Sequence, residues 1–178
     1  DNDGVLELFV ANGAVARSRS ATRIEAVYAE PNQFLRRDAA GRWVDDGGAF
    51  GSALLAPAVS RGVACGDIDN DGDQDILVNM GGGYPADLGR NLLFENPGHG
   101  HHWVTLRLEG VASNRDGVGA RVRLTVDMGG EAAEFHKLVD GGGSFGANSL
   151  QLEIGLGVAE GIREIAITWP TSGRTDVY

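Results

Sequence analysis

The chain has 178 residues, enough for one or two domains with real cores, and its 42 % apolar content is ordinary for a folded globular protein. A formal net charge of −10 leaves no surplus of Lys and Arg to neutralise phosphates, which argues against a nucleic-acid partner. No run approaches the length of a membrane span, no signal peptide is visible, and the single Cys65 cannot form an intramolecular disulfide.

The first residues, Asp1-Asn2-Asp3-Gly4-Val5-Leu6-Glu7-Leu8-Phe9-Val10, read as part of a motif that returns further along. Asp1, Asp3 and Gly4 fall on Asp69, Asp71 and Gly72, Glu7 on Asp75, and Leu8-Phe9-Val10 on Ile76-Leu77-Val78. This is an internal repeat of content, not of composition alone. The counterpart of Asp67 would precede Asp1, so the first copy is expected to be cut and the chain to be a piece of a longer protein. Between the copies, Ile24 to Tyr28, Asn32 to Arg37 and Arg42 to Asp45 read as strands, the last two joined by a turn at Asp38 to Gly41. Gly47 to Pro57 reads as loop, and Cys65 as a small buried hydrophobe.

The second copy is complete: Asp67-Ile68-Asp69-Asn70-Asp71-Gly72-Asp73-Gln74-Asp75, followed by Ile76-Leu77-Val78. Carboxylates at alternate positions of a tight turn repel one another unless a cation sits among them. Hard oxygen donors in a flexible loop suit calcium. Asp67, Asp69, Asp71 and Asp75 are the expected carboxylate ligands, Asp73 would offer its backbone carbonyl, and Gly72 would allow the reversal. In the first copy, Asp1, Asp3 and Glu7 are the corresponding candidates. The loop is not an EF-hand, which needs a bidentate Glu where this chain has Val78, and helices on both sides. A solvated acidic turn is the plainer alternative, but it leaves the regular spacing and the glycine unexplained.

After the loop, Gly81 to Pro85 reads as loop and Asn91 to Asn96 as strand, so each repeat has the four short strands of a β-propeller blade. Pro97-Gly98-His99-Gly100 marks a change of character, placing a boundary between residues 1–98 and 99–178. Beyond it, His102 to Glu109, Val118 to Val126, Ala132 to Val139, Leu150 to Ile154 and Ile162 to Trp169 read as longer strands. The expected fold is all-β: partial propeller blades followed by a small antiparallel β-sandwich.

Residues 66–78 resemble the calcium loop of FG-GAP/VCBS repeats, and Asn91 to Asn96 is similar to the strand that follows in them. The second half resembles the ASPIC/UnbV domain found after such repeats in the cartilage acidic protein family and its bacterial relatives. The residues that carry this are His102-Trp103, Ser113 to Val122, Gly142-Gly143-Ser144-Phe145, Gly155-Leu156-Gly157 and Trp169-Pro170 with Ser172-Gly173. Thr171 interrupts the usual Trp-Pro-Ser/Thr-Gly run, and Glu7 stands where an aspartate is usual. The chain stops soon after Trp-Pro, so a last strand is expected to be missing. The resemblance implies a secreted or cell-surface protein whose repeats are calcium-stabilised scaffolds for adhesion or display.

Other groupings carry less. His99 and His101 could share a transition metal if their segment were a strand, but Pro97-Gly98 and Gly100 make it a loop. Asn114-Arg115-Asp116-Gly117 reads as a turn before it reads as a second cation site. Ser144 lacks the context of a catalytic elbow or a phosphate loop. Trp43, Trp103 and Trp169 are expected in the core. The leading expectation is therefore a non-enzymatic, extracellular, calcium-stabilised structural or adhesion module with a protein or glycan partner. Open sheet edges would allow it to assemble with neighbouring copies into an oligomer or filament. The alternative is a glycan-binding or hydrolytic domain using the calcium loop or the histidine cluster.

Overall fold

Strict alternation in Arg121-Val122-Arg123-Leu124-Thr125-Val126 sends every second side chain to the same face, and that face is buried. This strand is the centre of one of two compact units in a computed structural model that describes residues 1–14, 29–81, 89–142 and 149–178. In chain order the strands are β1 (Leu8–Val10), β2 (Gln33–Arg37), β3 (Trp43–Asp45), β4 (Ser60–Gly66), β5 (Asp75–Met80) and β6 (Leu92–Phe94). They continue with β7 (His102–Arg107), β8 (Arg121–Met128), β9 (Glu131–Leu138), β10 (Gln151–Gly157), β11 (Gly161–Thr168) and β12 (Thr175–Val177). The chain is mostly β, built from several small antiparallel sheets.

One unit comprises Asp1–Val5, Cys65–Asp75 and Glu95–Tyr178. It holds a four-stranded sheet in the order β12-β11-β8-β9 and a two-stranded sheet of β10 and β7. Val122, Leu124 and Val126 of β8 share a buried cluster with Leu152, Ile154 and Leu156 of β10 and Ile167 of β11. Leu124 is fully buried. Removing such a side chain to alanine costs about 2–5 kcal/mol in comparable cores. The register between β10 and β7 slips between Gly155 and Gly157, where the backbone of residues 2 and 3 lies against β10. A Cβ on Gly155 would stand 2.5 Å from the Asn2 Cα. The bulge and its glycines are what allow that approach.

The other unit comprises Leu6–Ala64 and Ile76–Phe94. Its sheets are β1-β2-β3 and β4-β5-β6, with Leu54 and Val78 fully buried. Asn32 is also buried, and its side-chain carbonyl accepts the Asn12 N–H at 3.0 Å, so the buried polar group is satisfied.

Several expectations are corrected. Gly47 to Pro57 is not simply loop: a 3-10 turn, Gly47–Phe50, leads into the short helix α1, Ser52–Leu55, which Leu54 anchors by burial. Cys65 is exposed, at the end of β4, and not a buried hydrophobe. Trp43 is 40 % exposed because all of β3 faces solvent, and the Arg37 guanidinium lies 4.5 Å from its ring centre. A strand does follow Trp169-Pro170: β12 pairs with β11 through Ala166↔Val177, Ile167↔Asp176 and Thr168↔Thr175. The strand expected at Ile24 to Tyr28, the loop residues Gly82 to Pro85, and Ser144 lie outside the described residues.

Candidate metal centre

The short polar side chains of Asp-Asn-Asp-Gly shape the loop before any ion is considered. Asn70 adopts φ 61° and Gly72 φ 92°, so the chain reverses twice through left-handed backbone. Asn tolerates that region better than other non-glycine residues, which explains its place there. The Asp71 N–H donates to Oδ1 of Asp67 (3.1 Å) and of Asp69 (3.3 Å), and the Asp73 N–H to Asp71 Oδ1 (2.9 Å). The Gly72 N–H donates to Asp67 Oδ2 at 3.0 Å. These bonds draw the carboxylates inward.

As a result Asp67, Asp69 and Asp71 each bring an oxygen within 4.8 Å of the others. Asp69 and Asp71 are exposed, and Asp67 is half-buried. Among the described residues no Lys or Arg pairs with any of the three. Three oxygen donors with uncompensated charge on a turn open to solvent fit a hard divalent cation such as calcium, and fit soft transition metals poorly.

Asp73 and Asp75 stand apart from that group. Asp75 is buried at 2 % exposure, and its two oxygens accept the backbone N–H groups of Ile68 (3.0 Å) and Asn96 (2.8 Å). The Asp73 carboxylate turns to Asn2, whose Nδ2 donates to it and to the Gly72 carbonyl, both at 2.8 Å. Asp1 and Asp3 fall in the same unit as this loop and Glu7 in the other. The Asp3 N–H donates to Asp1 Oδ1 (3.1 Å) and the Val5 N–H to Asp3 Oδ1 (2.7 Å). Asn2 (φ 60°) and Gly4 (φ 86°) repeat the left-handed pair. So the internal repeat holds in the hydrogen bonds and dihedrals as well as in the letters.

Two aromatic rings cover the two glycines. A Cβ on Gly72 would lie 1.8 Å from the Trp103 indole, and one on Gly4 would lie 2.6 Å from the Phe135 ring. Trp103 therefore caps the loop at 40 % exposure and is not in the core. Trp169 is partly buried against the core, and its Nε1–H donates to Asp176 at 2.9 Å. Neither Trp103 nor Asn2 carries a sequence signal for these contacts, since both are joined to the loop only through the fold.

The other groupings resolve simply. His101 Nδ1 sits 2.7 Å from the Asp1 carbonyl oxygen, so its proton is on Nδ1, while His99 and His102 are exposed. Among the described residues, no group of metal-ligating side chains includes a histidine. Asn114 bonds Val118 through both ends of its amide, and the Gly117 N–H donates to the Asn114 carbonyl, which makes the segment a turn.

Residues 110–178 match the family model described as ASPIC and UnbV. No curated protein matches the chain. The ASPIC and UnbV region takes in β8 to β12 and most of the buried cluster; β7 with His102-Trp103 and the aspartate loop lie before it.

Proposed function

We propose that the chain is a non-enzymatic scaffold in which a calcium ion, held by Asp67, Asp69 and Asp71, stabilises the fold beside an ASPIC and UnbV domain. The observation that carries this reading is the convergence of three carboxylates with no cationic partner among the described residues. A site that hardly exists in the unfolded chain converts binding energy into folding energy. The repeated turn running into a strand supports a further reading of β1–β3 and β4–β6 as parts of FG-GAP/VCBS-type propeller blades. With it go the extracellular setting, the adhesive or display role, and assembly through open strand edges.

The perturbed carboxylates fit a scaffold better than a catalytic cleft. Asp38 is held below the usual range first by the Arg42 backbone N–H and then by its guanidinium. Asp45 is lowered mainly by the Gln33 amide, and Asp127 mainly by Arg163. Each shift has a local cause on the surface.

Trp103 provides the test. Terbium replaces calcium in oxygen sites, and an indole against the loop would sensitise its emission. Excitation of tryptophan should give terbium luminescence that calcium displaces. Asp71→Ala should weaken binding roughly tenfold or more, and Asp116→Ala should leave it unchanged. Equal losses in the two variants, or no sensitised emission, would defeat the proposal.

A further inference from the structure

The two limbs of the aspartate loop are held in different ways, although both lie in the same compact unit as the sheet of β7 and β10. The entry limb carries Asp67, Asp69 and Asp71, whose carboxylates accept N–H groups of the loop itself. In the exit limb, residues 72–75, every residue bonds a partner outside the loop. Asn2 Nδ2 donates to the Gly72 carbonyl and the Asp73 carboxylate. The Gln74 amide donates to Glu153 Oε2 at 2.7 Å, and Asn96 donates to the Gln74 carbonyl at 3.4 Å and to Asp75 at 2.8 Å.

The Gln74 bond reaches furthest along the chain, across 79 residues, and it lands on a defined face of β10. Leu152 and Ile154 are buried, so Glu153 between them faces the other side of the strand. Pairing sets Thr105 opposite Glu153 and Trp103 opposite Gly155, which places Trp103 and Glu153 on that same face. The indole then covers Gly72 while the carboxylate holds Gln74 two residues on. Glu153 Oε1 accepts the Gln151 amide at 3.2 Å, and no Lys or Arg pairs with Glu153 among the described residues. Both of its oxygens are therefore spent on amides, one from its own strand and one from the loop.

We infer that Glu153 is a positioning residue for the cation loop. Through Gln74 it fixes the exit limb against β10, so that Asp67, Asp69 and Asp71 converge before an ion arrives. The inference rests on the cation reading of that loop. A loop already ordered gives up less conformational freedom when the ion binds, and partners one step removed from the ligands carry a measurable share of the affinity. Glu153 lies within the ASPIC and UnbV region and the loop before it, so the contact makes the domain a support for the site. The coupling is reciprocal: an ion that orders the loop also holds Gln74 at Glu153.

Terbium titration of the whole chain, read by tryptophan-sensitised emission and by calcium displacement where every variant is folded, tests it. Glu153→Ala should raise both dissociation constants roughly tenfold. Gln74→Ala should do the same, and the double variant should bind no more weakly than either single one. Glu153→Gln removes the charge but keeps a hydrogen-bonding partner for the Gln74 amide, so its affinity should stay close to that of the parent chain. Ile167→Val trims the buried cluster, and should lower Tm while leaving both constants unchanged. No terbium binding by the parent chain would overturn the cation reading and this inference together. Parent binding with Glu153→Ala equally tight would overturn this inference alone. So would additive losses in the double variant, equal losses in Glu153→Gln and Glu153→Ala, or a matching loss in Ile167→Val.

Discussion

The turn at residues 1–5 and the turn at residues 69–73 share a backbone and a hydrogen-bond pattern, yet their surroundings set them to different work. Each has Asn and Gly in left-handed conformation, and each has aspartate side chains accepting the N–H two residues on. Asn70 is exposed, whereas Asn2 reaches across to Gly72 and Asp73 and gives its carbonyl to the Gly157 N–H at 2.8 Å. Gly72 lies under an indole and Gly4 under a phenyl ring. Local sequence thus fixes the turn, and contacts from distant strands decide what the turn holds together.

The glycines break the comparison most sharply. Gly72→Ala meets both a φ of 92° and a Trp103 atom at 1.8 Å, and should cost about 3 kcal/mol or more by denaturant unfolding. Gly4→Ala meets a similar φ of 86° but only the far edge of the Phe135 ring, at 2.6 Å, and should cost less, about 1–3 kcal/mol. Equal costs would mean that the two turns are held alike. Next in size, Asn2→Ala removes the hydrogen bonds to Gly72 and Asp73 and should lower stability by about 1–2 kcal/mol in the same measurement. Asn70→Ala should then give a smaller loss, confined to the left-handed backbone.

The smallest effect lies away from both turns. Asp127 is depressed mainly by Arg163, so its contribution is present above the ordinary aspartate range and disappears as pH falls through its lower folded value. Asp127→Asn should therefore lower the melting temperature slightly at neutral pH, with the gap closing in strong acid. A gap that widens on acidification would contradict the assignment.

Much of this was legible in the chain. Alternation in β8 marked the buried face, and the Asp-Asn-Asp-Gly repeat marked both turns. Four things were not. Ser60–Gly66 forms β4 although its Gly, Ala and Cys residues carry no clear period. Thr175–Val177 is too short to announce itself, and pairs because β11 offers an edge. The division of the aspartates also escaped the spacing: alternate positions look equivalent, but the Ile68 and Asn96 amides claim Asp75 and Asn2 claims Asp73. Trp43 and Trp103 looked like core residues because composition records apolar area and not which neighbours arrive to cover it.

The central claim is that an ion in the loop stabilises the fold, and thermal unfolding in calcium and in chelator tests it most directly. With calcium at about a hundredfold its dissociation constant, stabilisation should be about 2.7 kcal/mol, a rise of roughly 5–10 °C in Tm. Asp67→Asn, which loses a ligand and weakens the caps on the Asp71 and Gly72 N–H groups, should abolish most of that rise. Superimposable melts with and without calcium would contradict the account.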